Sequence, residues 1–284
     1  MDQPLSEHRA SASATAQPLE AAAWRRAAKA ALPTLGYLIP PLIALIIAGV
    51  VWELWVRAAD TPTYIVPAPT KVLDRFFGGL SYFWWHGWVT LYEGMLGFAL
   101  GAGGAVLFAI VMAASRPVEK SIMPLAILVK VTPIVAIAPL FTIWFGFGSF
   151  PKVLIAAFLT FYPVLINAIV GFRSMNPGAH DLLRSVNASP LEIFLRLRLP
   201  SSLPYLFAAF RIVVPLALIG ATVAEWFSGD RGLGSVIIVA HNNLDMPTLF
   251  SAIFTLAIIG IGLTMLTWVL EKRLTFWHES NLAR

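Results

Sequence analysis

The sequence predicts an all-α integral membrane protein with six transmembrane helices, and three observations predict it. Of 284 residues, 58% are hydrophobic and 12% charged, against about 45–50% and about 25% in soluble domains. The mean hydropathy is +0.77. The apolar residues also gather into six runs, each close to the roughly 20 residues that a helix needs to cross a ~30 Å hydrocarbon core. A water-soluble globule of this length could not hide so many apolar side chains, which sets aside a soluble enzyme. The absence of cysteine excludes disulfide frameworks, thiolate metal sites and cysteine nucleophiles. The histidines at 8, 86, 180, 241 and 278 show no metal-ligand spacing. A net charge of +5 is no sign of nucleic acid here, because no basic stripe interleaved with aromatics accompanies it.

Residues 1–34 read as a disordered cytoplasmic tail, rich in Ala, Ser, Gln and Glu without an apolar period. The six-span domain is expected over 35–277, followed by a cytoplasmic tail at 278–284. The first run, 35–56, is too long for the core of a signal peptide and lacks a small-residue cleavage site, so an uncleaved span is expected. The next runs are 88–114, 121–146, 152–172, 204–227 and 248–270. Between the first two, Tyr64-Ile65-Val66-Pro67-Ala68-Pro69 leads into an amphipathic stretch from Thr70 to Leu80. Thr70 is expected to cap it, with Val72, Leu73, Phe76 and Phe77 on one side. Tyr82, Phe83, Trp84, Trp85 and Trp88 suit a headgroup belt.

The Lys and Arg residues give the orientation. One side carries Arg9, Arg25, Arg26, Lys29, Arg116, Lys120, Arg173, Arg184, Arg196, Arg198, Lys272, Arg273 and Arg284. The other has Arg57, Lys71, Arg75, Lys152 and Arg231, while Lys130 and Arg211 lie within spans. Thirteen against five places both termini in the cytoplasm.

The long inner connection, 173–203, contains two short helices. Residues 179–186 form the first, ending at Asn187, which tolerates a left-handed turn. Ser189 then caps the second, with Pro190 at its first position and Glu192 three residues after the cap. Leu191, Phe194, Leu195 and Leu199 make one apolar face, Arg196 and Arg198 flank it, and Pro200 is expected to end the helix. An exposed apolar-basic face of this kind needs a protein partner or the lipid interface.

This loop resembles the EAA signature of bacterial ABC importer permeases, which runs from Glu-Ala-Ala through a Gly to a closing Ile-x-Leu-Pro. Asp181-Leu182-Leu183-Arg184-Ser185-Val186-Asn187-Ala188-Ser189 lies on its first half and Arg198-Leu199-Pro200 on its end. Asp181 stands for the Glu, Leu182 and Leu183 for the two Ala, and Asn187 for the Gly. Pro67-x-Pro69, the stretch from Ala136 to Gly148, and Gly232-Leu233-Gly234 look like the nitrate/sulfonate/taurine-type branch. The resemblance implies a type I ABC importer permease fold with a cytoplasmic coupling helix. It makes Asp181, Arg184, Ser185, Asn187, Ala188, Ser189, Pro190, Leu191, Phe194, Leu199 and Pro200 the surface that docks on a separate ATPase. It also implies a second permease copy, two ATPase subunits and an external solute-binding protein that delivers substrate near 58–87 and 228–247, in the bacterial inner membrane.

No cofactor is expected on this chain. It has no Gly-Lys pair, so a phosphate-cradling P-loop cannot form, and ATP-Mg belongs on the partner ATPase. Ionisable groups at membrane depth usually face a cavity or a partner. Lys130, beside Thr132 and Pro133 in a Pro-interrupted span, either faces an anionic or polar substrate or pairs with Glu93. Glu225 either gates the outer mouth or is a solvated structural acid. Arg211 either snorkels or pairs with the loop. Tyr162, Asn167 and Thr222 either line the pathway or pack within the core. Gly94, Gly97, Gly101 and Gly104 allow close helix contact within a subunit or across a dimer. The competing class, a self-sufficient secondary transporter or channel, would be expected to show an inverted repeat or a chain of embedded carboxylates. An intramembrane enzyme would need convergent catalytic groups, and none lies within the spans.

Overall fold

The computed structural model describes residues 19–228 and 230–276; residues 1–18 and 278–284, within the expected tails, lie outside this range. The elements in order are α1 (Leu19–Ala58), α2 (Pro69–Gly78), α3 (Leu80–Ala114), α4 (Arg116–Val131), α5 (Ile134–Phe145), α6 (Ser149–Arg173), α7 (Pro177–Ser185) and α8 (Pro190–Ile193). A π turn (Phe194–Arg198), α9 (Leu199–Ser228), α10 (Leu233–Asn242) and α11 (Met246–Leu274) follow. Among the described residues five helices are long and apolar enough to cross a membrane, or six if the pair α4–α5, bent by 95°, forms one broken span. The break falls at Thr132 and Pro133, where Pro133 has no N–H to continue the α4 ladder.

The chain divides into two units, one ending at Thr61 and one starting at Pro62. The first holds α1, which starts well upstream of the expected run at 35. Its first turns carry Ala21–Ala23, Ala27, Ala28, Ala30 and Ala31, and alanine has the highest helix propensity.

In the second unit α3, α6 and α9 pack side by side. Their shared core joins Ala105, Ala109 and Met112 of α3 to Leu165, Ala168 and Phe172 of α6 and Ala209 and Val213 of α9. Small residues let the helix axes approach. A Cβ on Gly97 would lie 2.8 Å from the Val153 carbonyl oxygen, and one on Gly220 would lie 2.8 Å from Ala156 Cα. Gly101 is closed in the same way by Ala157 and Thr160, whereas nothing approaches Gly104. Gly97 and Gly101 therefore serve contact within the subunit.

Near the other end α2 lies against α11. Its N-cap is Ala68, not the expected Thr70, and Pro69 is the first helical residue, where a missing N–H costs nothing. Val72 and Phe76 turn inward while Phe77 is 67% exposed, so the expected four-residue face is split. Phe83 is fully buried and stacks on Phe76. It belongs to the core and not to the aromatic belt, whereas Trp84, Trp85 and Trp88 remain exposed.

Candidate functional site

The 173–203 connection is locally determined at almost every turn. Arg173 donates to the Met112 carbonyl (3.0 Å) and to Glu119 Oε2 (2.6 Å), fixing where the loop leaves the bundle. Asn176 caps α7 by accepting from the amides of Gly178 (2.8 Å) and Ala179 (3.4 Å). At the far end the Asn187 amide donates to the Arg184 carbonyl and the Ala188 amide to the Leu183 carbonyl, each at 3.0 Å. This pair of bonds is a Schellman closure, which requires a left-handed residue, and Asn187 has φ +56°. Ser189 and Glu192 then form a complete capping box around Pro190.

Pro200 does not end the second helix. The chain passes from α8 through the five-residue π turn directly into α9. The wider turn absorbs the missing proline N–H, so the helix continues. It also rotates the apolar face. Leu191 and Leu195 stay 65% and 51% exposed, whereas Phe194 and Leu199 pack on the α3–α6–α9 core, Phe194 with its ring 5.6 Å from that of Phe172. Asp181, Arg184, Ser185, Asn187, Ser189 and Pro190 are exposed, with Ala188 and Pro200 half-buried. The outward surface is therefore Asp181 to Leu191 plus Leu195, and Phe194 and Leu199 anchor it from beneath.

A second cluster forms at the α4–α5 break. Lys130, Thr132 and Tyr162 line a cavity of about 230 Å³ with Val129, Phe158 and Leu216, and Pro133 starts the turn beside it. The Lys130 ammonium lies 4.8 Å from the centroid of the Tyr162 ring, within cation–π range. Thr132 donates to the Leu128 carbonyl. Asn167 and Thr222 are turned back on their own helices, to Pro163 and Leu218, and do not join the cavity.

Lys130 does not pair with Glu93. Glu93 is 1% exposed and its cation is Lys152, 3.3 Å away and 2% exposed. The sequence counts Lys152 among the outer connections, but it lies inside the first turns of α6. Its ammonium also reaches Asp230 at 3.2 Å and the Arg231 carbonyl at 3.4 Å, and Ser149 donates to Glu93 at 2.7 Å. Glu225 is fully buried, so it is not a solvated acid. It accepts from Thr90 (2.8 Å) and the Gly234 amide (2.6 Å), and a Cβ on Gly232, at φ +103°, would overlap its carboxylate. Gly232-Leu233-Gly234 is thus a cradle for Glu225. The signal for Lys152 was two acids within apolar runs that needed a cation at the same end of the bundle. Arg211 pairs with Glu271 of α11 and does not reach the loop.

Residues 105–276 match the model of the binding-protein-dependent transport system inner membrane component family. The chain is 33% identical over 86% of its length to the formylaminopyrimidine transport permease protein ThiX of Halalkalibacterium halodurans, covering 97% of that protein. It is 35% identical over 87% of its length to the riboflavin transport system permease protein RibX of Chloroflexus aurantiacus, covering 92% of it. A putative aliphatic sulfonates transport permease protein SsuC of Bacillus subtilis is 27% identical over 86% of this chain and 88% of its own. Among solved structures, an inward-facing MetNI methionine ABC transporter chain superposes with a TM-score of 0.57 at 15% identity, over 66% of this chain and 94% of that one. The latter likeness shows the fold, that of type I ABC importer permeases. The helical architecture, the family match and these relatives agree that the chain belongs to the binding-protein-dependent transport system inner membrane components, as a multi-pass inner-membrane permease of an ABC importer in the sulfonate/taurine-type branch.

Proposed function

We propose that two copies of this chain form the translocation pathway of an importer, each docking one cytoplasmic ATPase through the 173–203 loop. A solute-binding protein delivers substrate at the opposite end. The excess of Lys and Arg on the loop side supports a cytoplasmic loop and cytoplasmic termini. The substrate class is a small polar or anionic solute or a heterocyclic compound. The names of the relatives span both, and the Lys130–Tyr162 cavity offers a cation and an aromatic face. Nothing in this reading calls for a cofactor on the chain; ATP-Mg is held by the partner.

The observation that carries the reading is the continuous path from α8 through the π turn into α9. When ATP closes the ATPase pair, a displaced loop cannot hinge at Pro200, so it moves α9 as a lever. The far end of α9 holds Glu225 and, through Gly232–Gly234, the segment at the opposite face. Alternating access then needs two packings of the bundle that differ by a few kcal/mol.

The test is Leu191→Glu combined with Leu195→Glu. Each leucine buried on a partner contributes about 1.5–3 kcal/mol, so their loss weakens docking by at least about 100-fold. Co-purification of the ATPase should disappear while the permease remains inserted and monodisperse. Retained co-purification would overturn the docking assignment. Phe194→Glu is not an equivalent variant, because it charges the core contact with Phe172.

A further inference from the structure

A cavity of about 730 Å³ lies between the coupling loop and the ends of α3 and α6. Its floor is apolar, formed by Ile110 and Ala113 of α3 and Phe172 of α6, and its upper wall carries His180, Arg184 and Arg198. Among the described residues no carboxylate lines it. Asp181 touches His180 at 3.5 Å but is 82% exposed and is not part of the wall. Neither arginine, among the described residues, has an ion-pair partner. A planar guanidinium binds a phosphate through paired N–H bonds.

We infer that this cavity holds the headgroup of one anionic phospholipid, its phosphate against Arg198 and Arg184 and the start of an acyl chain on the Ile110–Ala113–Phe172 floor. The cavity combines the two chemistries such a lipid presents, and it lies beside the last turn of α3. Basic pockets between transmembrane helices are a known form of lipid recognition. A free phosphate would satisfy the arginines but leave the apolar floor open, and an acidic side chain of the ATPase would do the same. The lipid assay is independent of ATPase docking because no ATPase is present, although Arg184, Pro190 and Leu191 belong to both surfaces.

The experiment uses the full chain, purified without ATPase and reconstituted with equimolar phosphatidylglycerol and phosphatidylcholine. Lipid retention is read by native mass spectrometry. One phosphatidylglycerol per chain should be retained at least about tenfold over phosphatidylcholine. Arg198→Gln should erase that preference, and Arg198→Lys should keep part of it, because the charge remains and the fork is lost. Ala113→Leu, which fills the floor without touching charge, should reduce retention of phosphatidylglycerol even if the Arg198 variants fold poorly. Equal retention of the two lipids, displacement of phosphatidylglycerol by millimolar inorganic phosphate alone, or an unchanged preference in Arg198→Gln and Ala113→Leu would overturn the inference. If Arg198→Gln instead kept the lipid and lost only ATPase co-purification, Arg198 would belong to the ATPase contact and the lipid site would be wrong.

Discussion

Replacing Lys152 by Met removes the cation from the most deeply buried charge cluster of the protein. Lys152 and Glu93 are 2% and 1% exposed and 3.3 Å apart, so the substitution leaves the Glu93 carboxylate with Ser149 and the neighbouring Glu225 carboxyl but no cation. Breaking a buried pair from one side costs about 3–5 kcal/mol, because the remaining charge is uncompensated. At about 2–4 °C per kcal/mol for a chain of this size, the midpoint of thermal unfolding in detergent should fall by about 6–20 °C. The same change takes one partner each from Asp230 and the Arg231 carbonyl, leaving them Arg231 and Ser235, so proteolysis should first become faster near 230–234. Replacing both partners, Lys152→Met with Glu93→Gln, removes the stranded charge and should recover most of the loss. Intrinsic tryptophan fluorescence during a thermal ramp reads all three proteins. If the double variant is no more stable than Lys152→Met alone, or if Lys152→Met costs under about 1 kcal/mol, the ion pair is not what holds α3 to α6 at this end.

Other consequences concern close approaches and the pathway. Gly101→Val places methyl groups against Ala157 and Thr160 and should cost at least about 1–3 kcal/mol, seen as a lowered unfolding midpoint. Asn187→Gly should be close to neutral in ATPase co-purification, while Asn187→Val, forced to φ +56°, should cost at least about 1–2 kcal/mol of loop stability and weaken docking. Gly232→Ala displaces the Glu225 carboxylate and should slow uptake without affecting ATPase binding. Lys130→Gln should reduce uptake of an anionic solute in proteoliposomes with ATPase co-purification intact, and unchanged uptake would exclude Lys130 from the pathway.

Local features of the loop were legible in the sequence because short-range chemistry determines them. Ser189, Pro190 and Glu192 spell a capping box, and Asn187 is one of the few residues that accept a left-handed turn. The place of Pro200 was not legible, since whether a proline ends a helix depends on whether the preceding turn can widen. The π turn that permits this leaves no pattern in the sequence. Its consequence, that Leu191 stays 65% exposed while Phe194 packs on Phe172, was hidden with it. The membrane spans were legible from hydropathy, and the break at Pro133 from the Pro spacing. The partners of the charges were not, because Glu93, Lys152 and Glu225 are far apart in sequence and meet only through the packing of α3, α6 and α9. Lys152 stands at the edge of an apolar run, and its burial was not legible because the Asp230–Arg231 segment that covers it is remote in the chain.

The proposed coupling of this chain to ATP hydrolysis runs through another polypeptide. The most direct measurement is affinity purification of the chain from detergent-solubilised membranes of its native host, with partners identified by mass spectrometry and their stoichiometry determined. One P-loop ATPase subunit per permease chain is expected, lost on Leu191→Glu with Leu195→Glu. A permease that purifies without any ATPase, and drives uptake in vesicles from an ion gradient alone, would contradict it.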